Sequence, residues 1–218
     1  MSFEDRRSRA EVTRLLQQVH GGRSGSAATR RQPAAPVAGA PPLLLTIDPS
    51  RSRVTFRVGF CGFTHVEGAF LDFNGTIAYS ADLSLASVSA VIKAASIHTK
   101  NRLRDRHLRG RDFLDVEQYP EIVFRSTRIR QVGEEYRADG VLEMHGVVQE
   151  IEVPFVQVGD PSTGGARGEV EFGAWGALNR ADFGVFGRPV IGSSLNPSDA
   201  IIGDVVSFVL SVKAVGTP

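Results

Sequence analysis

The chain has 218 residues, a formal net charge of +1 and 22% charged residues, the composition of an ordinary globular protein. That charge balance gives no global basic field of the kind nucleic acid attracts. No stretch has the apolar length a bilayer-spanning helix needs, and a single cysteine, Cys61, excludes an intrachain disulfide framework.

The first 42 residues read as an N-terminal extension in two pieces. Glu4–His20 has helix-forming composition, with Val12, Leu15, Leu16 and Val19 at helical spacing in a narrow apolar stripe. The readings are a marginal solvated helix or a docking helix for a partner, and in the second case the protein would work as a scaffold. Residues 21–42 are rich in Gly, Ala, Ser, Pro and Arg, a linker unable to bury enough surface to order itself. The charged N-terminus has no central hydrophobic block, so no secretory signal is expected and the expected compartment is the cytoplasm.

From Leu43 the pattern changes to strands, and residues 43–218 read as one domain. Leu44–Ile47 opens a strand that Asp48-Pro49-Ser50 turns. Val54, Phe56, Val58 and Phe60 then alternate with Arg53, Thr55, Arg57 and Gly59, which is period-two burial on one face. Cys61 follows among phenylalanines, where a thiol is usually inert. Val66, Gly68 and Phe70 continue the alternation, and Asn74-Gly75 is a turn or bulge signal. Val88, Ala90 and Ile92 lead a third run that ends at Ser96-Ile97.

Residues 98–120 break this pattern with a polar, arginine-rich run. A short helix is expected over 101–109, with Asn101 as its N-cap, Leu103 and Leu108 as apolar contacts and Gly110 as its stop. After Pro120 the strands resume. Ile122, Phe124 and Ser126 share a face, as do Tyr136, Ala138, Gly140, Leu142 and Met144; His145-Gly146 then turns the chain. Ile151, Val153 and Phe155 alternate next, with Pro154 arguing for an edge or a bulge. Val170 and Phe172 follow, Trp175 falling on the opposite, outward parity, and 179–184 read as a short helical turn. Val206, Phe208, Leu210, Val212 and Ala214 end the chain in a long strand. About eight strands with two helical inserts fit an all-β antiparallel sandwich or barrel. Strands this long favour closure, which removes exposed edges.

Ordered motifs then sharpen the reading. Ile47-Asp48-Pro49, Ser52, Val54, Phe56, Val66, Gly68, Phe70 and Gly75 come first, followed by Ser96 to Thr99, Arg104-Asp105, His107-Leu108, Asp112-Phe113, Asp115 and Tyr119-Pro120. Phe124, Ser126, the GVLEMHGV run at 140–147 and Arg180, Asp182, Phe183 and Gly184 complete the set. With these motifs the chain resembles the YceI-like, polyisoprenoid-binding, lipocalin-like family from about Leu43 to Val215. It departs from the family pattern at Arg51 and Phe60, where histidines are common, and in a longer, more polar link over 186–202. The family is often periplasmic with a cleaved signal, unlike the N-terminus seen here.

The resemblance implies an extended antiparallel lipocalin-like β-barrel with a short helical insert. It also implies a non-enzymatic role in binding, storing or carrying a long isoprenoid lipid or quinone tail, often as a homodimer, with membrane contact only transient. The residues expected to line the cavity are Phe56, Val58, Phe60, Phe70, Ile92, Phe113, Phe124, Leu142, Val153, Phe155, Phe172 and Phe208. Packed core is the competing reading for each, because cores and pockets are lined by the same apolar groups. Asp105, His107, Asp112 and His145 form a structural polar motif that satisfies loop amides. The alternative is a small hydrolase or isomerase acting on an amphipathic substrate through His107 or His145. Against it, residues two apart on a helix do not face each other, and no nucleophile has a base beside it. His98, His107 and His145 lack metal-ligand spacing, so no metal is expected, and no cofactor beyond a bound lipid. Arg102, Arg104, Arg106, Arg109 and Arg111 would either hold a diphosphate or an anionic surface, or remain solvated charge.

Overall fold

A computed structural model describes residue 10 and residues 43–60, 64–80, 84–159, 161, 169–187 and 202–216. Apart from residue 10, the expected helix and linker of the N-terminal extension lie outside the described residues, as do Cys61 and most of the 186–202 link.

Among the described residues, eleven strand segments follow in order. They are β1 (Leu43–Ile47), β2 (Arg53–Phe60), β3 (Thr64–Phe70), β4 (Phe73–Tyr79), β5 (Leu85–Lys93) and β6 (Ile97–His98), then β7 (Glu121–Val132), β8 (Glu135–Met144), β9 (Val147–Val158), β10 (Glu169–Asn179) and β11 (Ile202–Gly216). A helix, α1 (Arg102–Arg109), crosses between β6 and β7. Pairing reduces the eleven to eight. β1 and β2 are one strand bent at the 3-10 turn Pro49–Arg51, where Asp48 accepts from the Ser50 amide at 3.0 Å. β3 and β4 are one strand bent at Leu71-Asp72, since β2 pairs β3 while β1 pairs β4. β5 and β6 likewise pair with β4 and β3. Each strand then neighbours the next in sequence, and β11 closes the ring on β1 and β2. The result is a closed eight-stranded antiparallel barrel.

Asn74-Gly75 is not a turn: Gly75 lies inside β4, opposite Ala90 of β5. A Cβ there would stand 2.5 Å from the Ser89 carbonyl oxygen and 2.7 Å from Ile47 Cδ1, so the glycine serves close backbone approach rather than reversal. The reversal expected at His145-Gly146 does occur, with φ of +53° and +73° joining Met144 to Val147, the positive-φ pair a two-residue hairpin requires. β9 pairs with β10 only from Phe155 to Val158, so Pro154 stands where that ladder stops, while on its other side it faces Arg137 of β8.

Alternation sends one set of side chains inward. At the end where β1 begins, the base, Leu45, Ile77, Tyr79, Ala138, Phe155, Val170, Phe172 and Ala214 pack as one buried cluster. At the other end, the crown, Ala94, Ile97, Phe113, Leu114, Ile122, Leu142, Phe183 and Val185 form a second. Trp175 pairs with Val209 on the outer parity, as expected, yet is only 2% exposed.

α1 starts where the sequence placed its cap. Asn101 Oδ1 accepts from the Leu103 and Arg104 amides at 3.1 Å each, and Gly110 caps the other end. Asn101→Ala is expected to lower stability by about 1 kcal/mol, read as a lower thermal unfolding midpoint by circular dichroism.

Candidate functional site

The wall between base and crown carries most of the expected lining residues. Register places Val54, Phe56, Val58 and Phe60 opposite Leu210, Phe208, Val206 and Ile202, all on the inner face. Phe70, Ile92 and Phe124 join them by their pairing with Val54, Phe73 and Leu142. Phe56, Val58, Phe60, Phe70, Ile92, Phe124 and Phe208 are only half-buried. The remaining expected liners are packed away. Phe155 and Phe172 belong to the base cluster, Leu142 and Phe113 to the crown, and Val153 is 8% exposed. Phe113 is not on the wall at all but in the turn after α1, with His107 edge-on to its ring at 4.9 Å.

Of the polar motif, Asp105 and His145 have hydrogen-bond partners in the crown. Asp105 is 4% exposed and accepts from the Thr99 amide at 2.8 Å and the Thr99 hydroxyl at 2.5 Å. Burial alone would raise its pKa. The two Thr99 hydrogen bonds, with the charges of His98 and Arg109, outweigh that and leave it below the usual aspartate value. Its carboxylate is thus engaged with Thr99 and with His98, whose Nδ1 is 3.4 Å away, and not with His107. Arg104 donates to the Thr99 hydroxyl at 2.7 Å and the Thr99 carbonyl at 2.7 Å, and Arg109 to the Ile97 carbonyl at 2.8 Å. Two of the five arginines of the run therefore tie the connection to the barrel rim, while Arg102, Arg106 and Arg111 are exposed.

The His145 ring packs against Tyr119 with centroids 4.6 Å apart and planes tilted by 58°, and its Nδ1 lies 3.2 Å from the Phe183 carbonyl. Asp112 is exposed, beside buried Phe113. Arg180, legible only as a motif letter, proves to be a clamp. Its guanidinium donates to the carbonyls of Gly203 at 3.0 Å, Val185 at 2.6 Å and Ile202 at 3.1 Å, and pairs with Asp204 at 3.0 Å. Among the described residues no cluster of three or more His, Cys, Asp or Glu could hold a metal, and no helix is long and apolar enough to cross a membrane.

A closed antiparallel barrel with an apolar inner wall and a hydrogen-bonded crown defines a barrel of the lipocalin-like kind. The YceI-like domain matches residues 45–214, and the chain belongs to that family. Among curated relatives, Protein YceI of Escherichia coli O157:H7 is 32% identical over 152 residues, covering 68% of this chain and 78% of that protein. A UPF0312 protein of Pseudomonas syringae pv. tomato is 37% identical over 139 residues, covering 62% and 71%. Among solved structures, Burkholderia cenocepacia BcnA superposes with a TM-score of 0.64 at 22% identity, covering 77% of this chain and 98% of that one. A polyisoprenoid binding domain from Saccharophagus degradans, implicated in plant cell wall breakdown, gives 0.61 at 16% identity, covering 80% and 99%. At these identities the structural likeness speaks to the fold.

Proposed function

We propose that this protein binds a long-chain isoprenoid lipid, a polyprenyl chain or a quinone tail, inside the barrel, and stores or carries it without chemical change. The observation that carries the reading is the half-burial of the inward-facing Phe56, Phe60, Phe124 and Phe208, which keep accessible apolar surface although the clusters around Leu45, Ile97 and Val54 are buried. A side chain that points into a closed wall and keeps accessible area faces unfilled space, and unfilled apolar space favours an apolar guest. Removing roughly 500 Å² of a lipid tail from water gains on the order of 12 kcal/mol at 25 cal/mol per Å². Ordering the chain offsets part of this, so micromolar to nanomolar affinity is expected. Family membership and the polyisoprenoid-binding neighbour from Saccharophagus degradans support the same ligand class. The non-enzymatic part rests on the crown, where Asp105 is committed to Thr99 and His145 to Tyr119 and Phe183.

Native mass spectrometry of the full chain, as purified and after incubation with solanesol, a linear polyprenol, tests this. The expected result is a mass increment matching one lipid per chain. A protein that carries no lipid and takes up no solanesol overturns the reading.

A further inference from the structure

Four adjacent strands present Gly176, Phe208, Phe56 and Gly68 at a single level of the wall. Gly176 is opposite Phe208, Phe208 opposite Phe56, and Phe56 opposite Gly68. Two inward phenylalanines on neighbouring strands have room to project side by side into the lumen. Here each leans away from the other, across the glycine beside it. A Cβ on Gly176 would lie 2.5 Å from Phe208 Cζ, and one on Gly68 would lie 2.7 Å from Phe56 Cε1. Both are far inside the separation at which carbon atoms attract. Phe124 lies over Gly140 in a similar way, with Cζ 2.8 Å from where a Cβ would stand, although there the Arg125 carbonyl oxygen is nearer still at 2.5 Å. All three rings are half-buried, one face against the wall and part of the surface uncovered.

A glycine inside a strand weakens it, and covering it with a cross-strand ring offsets that loss. If stabilisation were the whole purpose, the rings would be indifferent to anything in the lumen. We propose that the Gly176–Phe208–Phe56–Gly68 row sets the bore of the barrel: the glycines let the rings lie flat, leaving width for one extended hydrocarbon chain and not for a fused-ring lipid. This makes Gly68 and Gly176 specificity-determining positions, and it rests on the lipid-binding reading above. An alanine at either position pushes its ring off the wall and into the path of the chain.

The test uses the full chain, solanesol and cholesterol as probes, native mass spectrometry for occupancy and circular dichroism for folding. Wild-type protein is expected to take up solanesol and to refuse cholesterol. Gly176→Ala and Gly68→Ala are each expected to weaken solanesol uptake by about tenfold, and Gly176→Ala combined with Phe208→Leu to restore it. The Phe56→Leu/Phe208→Leu protein, which adds no bulk and is expected to keep the wild-type circular dichroism spectrum, is expected to admit cholesterol. Folded alanine variants that bind solanesol like wild type overturn the proposal, as does a leucine pair with wild-type selectivity. Should the alanine variants fail to fold, the leucine pair decides. Wild-type protein that binds no solanesol removes the lipid reading itself, whereas wild-type uptake with unaltered variants removes only the bore.

Discussion

Tyr79→Ala is expected to lower the thermal midpoint by about 10 °C. Tyr79 is 1% exposed and sits in the base cluster with Leu45, Ile77, Phe155 and Phe172. Its hydroxyl donates to Gln157 Oε1 at 2.9 Å. Removing a large buried ring costs about 3–5 kcal/mol when the surroundings cannot collapse. A closed barrel resists collapse, because its strands are fixed by pairing on both sides. For a chain of this size each kcal/mol shifts the midpoint by about 2–4 °C. Tyr79→Phe keeps the ring and loses the hydrogen bond, so it is expected to cost about 1 kcal/mol. Equal shifts for the two variants in a calorimetric scan would show that ring packing is not what the base depends on.

Asp105→Ala is expected to cost about 3 kcal/mol, because it strips the acceptor from two buried Thr99 donors. It also has a pH signature. The Asp105 carboxyl is held below its ordinary value in the folded protein, so the unfolded chain takes up its proton first as pH falls. The stabilisation is therefore complete above the unfolded pKa of about 4 and is lost as pH falls through the lower folded pKa. Denaturant titrations between neutral and strongly acidic pH are expected to show wild type losing this increment below about pH 4. Asp105→Asn, which cannot titrate, should lack that part of the slope. An identical acid limb in both proteins would remove Asp105 from the account.

Much of this was legible in the sequence wherever a rule acts along one strand. The parity of Val54, Phe56, Val58 and Phe60 follows from the two-residue repeat, Asn101 from helix capping and His145-Gly146 from hairpin geometry. What was not legible depends on which strand lies alongside. Asn74-Gly75 carries a turn signature, yet Gly75 is needed because Ser89 of the neighbouring strand comes too close for a side chain. The rings over Gly68 and Gly176 were not legible for the same reason, since a single strand does not reveal what a neighbouring strand will lay across it. Phe113 has the right chemistry for a liner but sits beyond the end of a strand, in the crown. The sorting of liners into half-buried wall and buried ends needs the height of each residue along the axis, which register supplies and periodicity does not.

The way the ring is shut has a consequence for how the molecule assembles. Seven of its neighbouring contacts join strands consecutive in the chain, which can zip up hairpin by hairpin at modest entropic expense. The remaining seam brings Ser52 against Lys213, 161 residues away, and nothing local prepares it. Non-local pairing of this kind is slow. Until the C-terminal strand arrives, a nascent chain holds a curled sheet with two open borders, the state in which such a sheet is most prone to pair with a neighbouring copy.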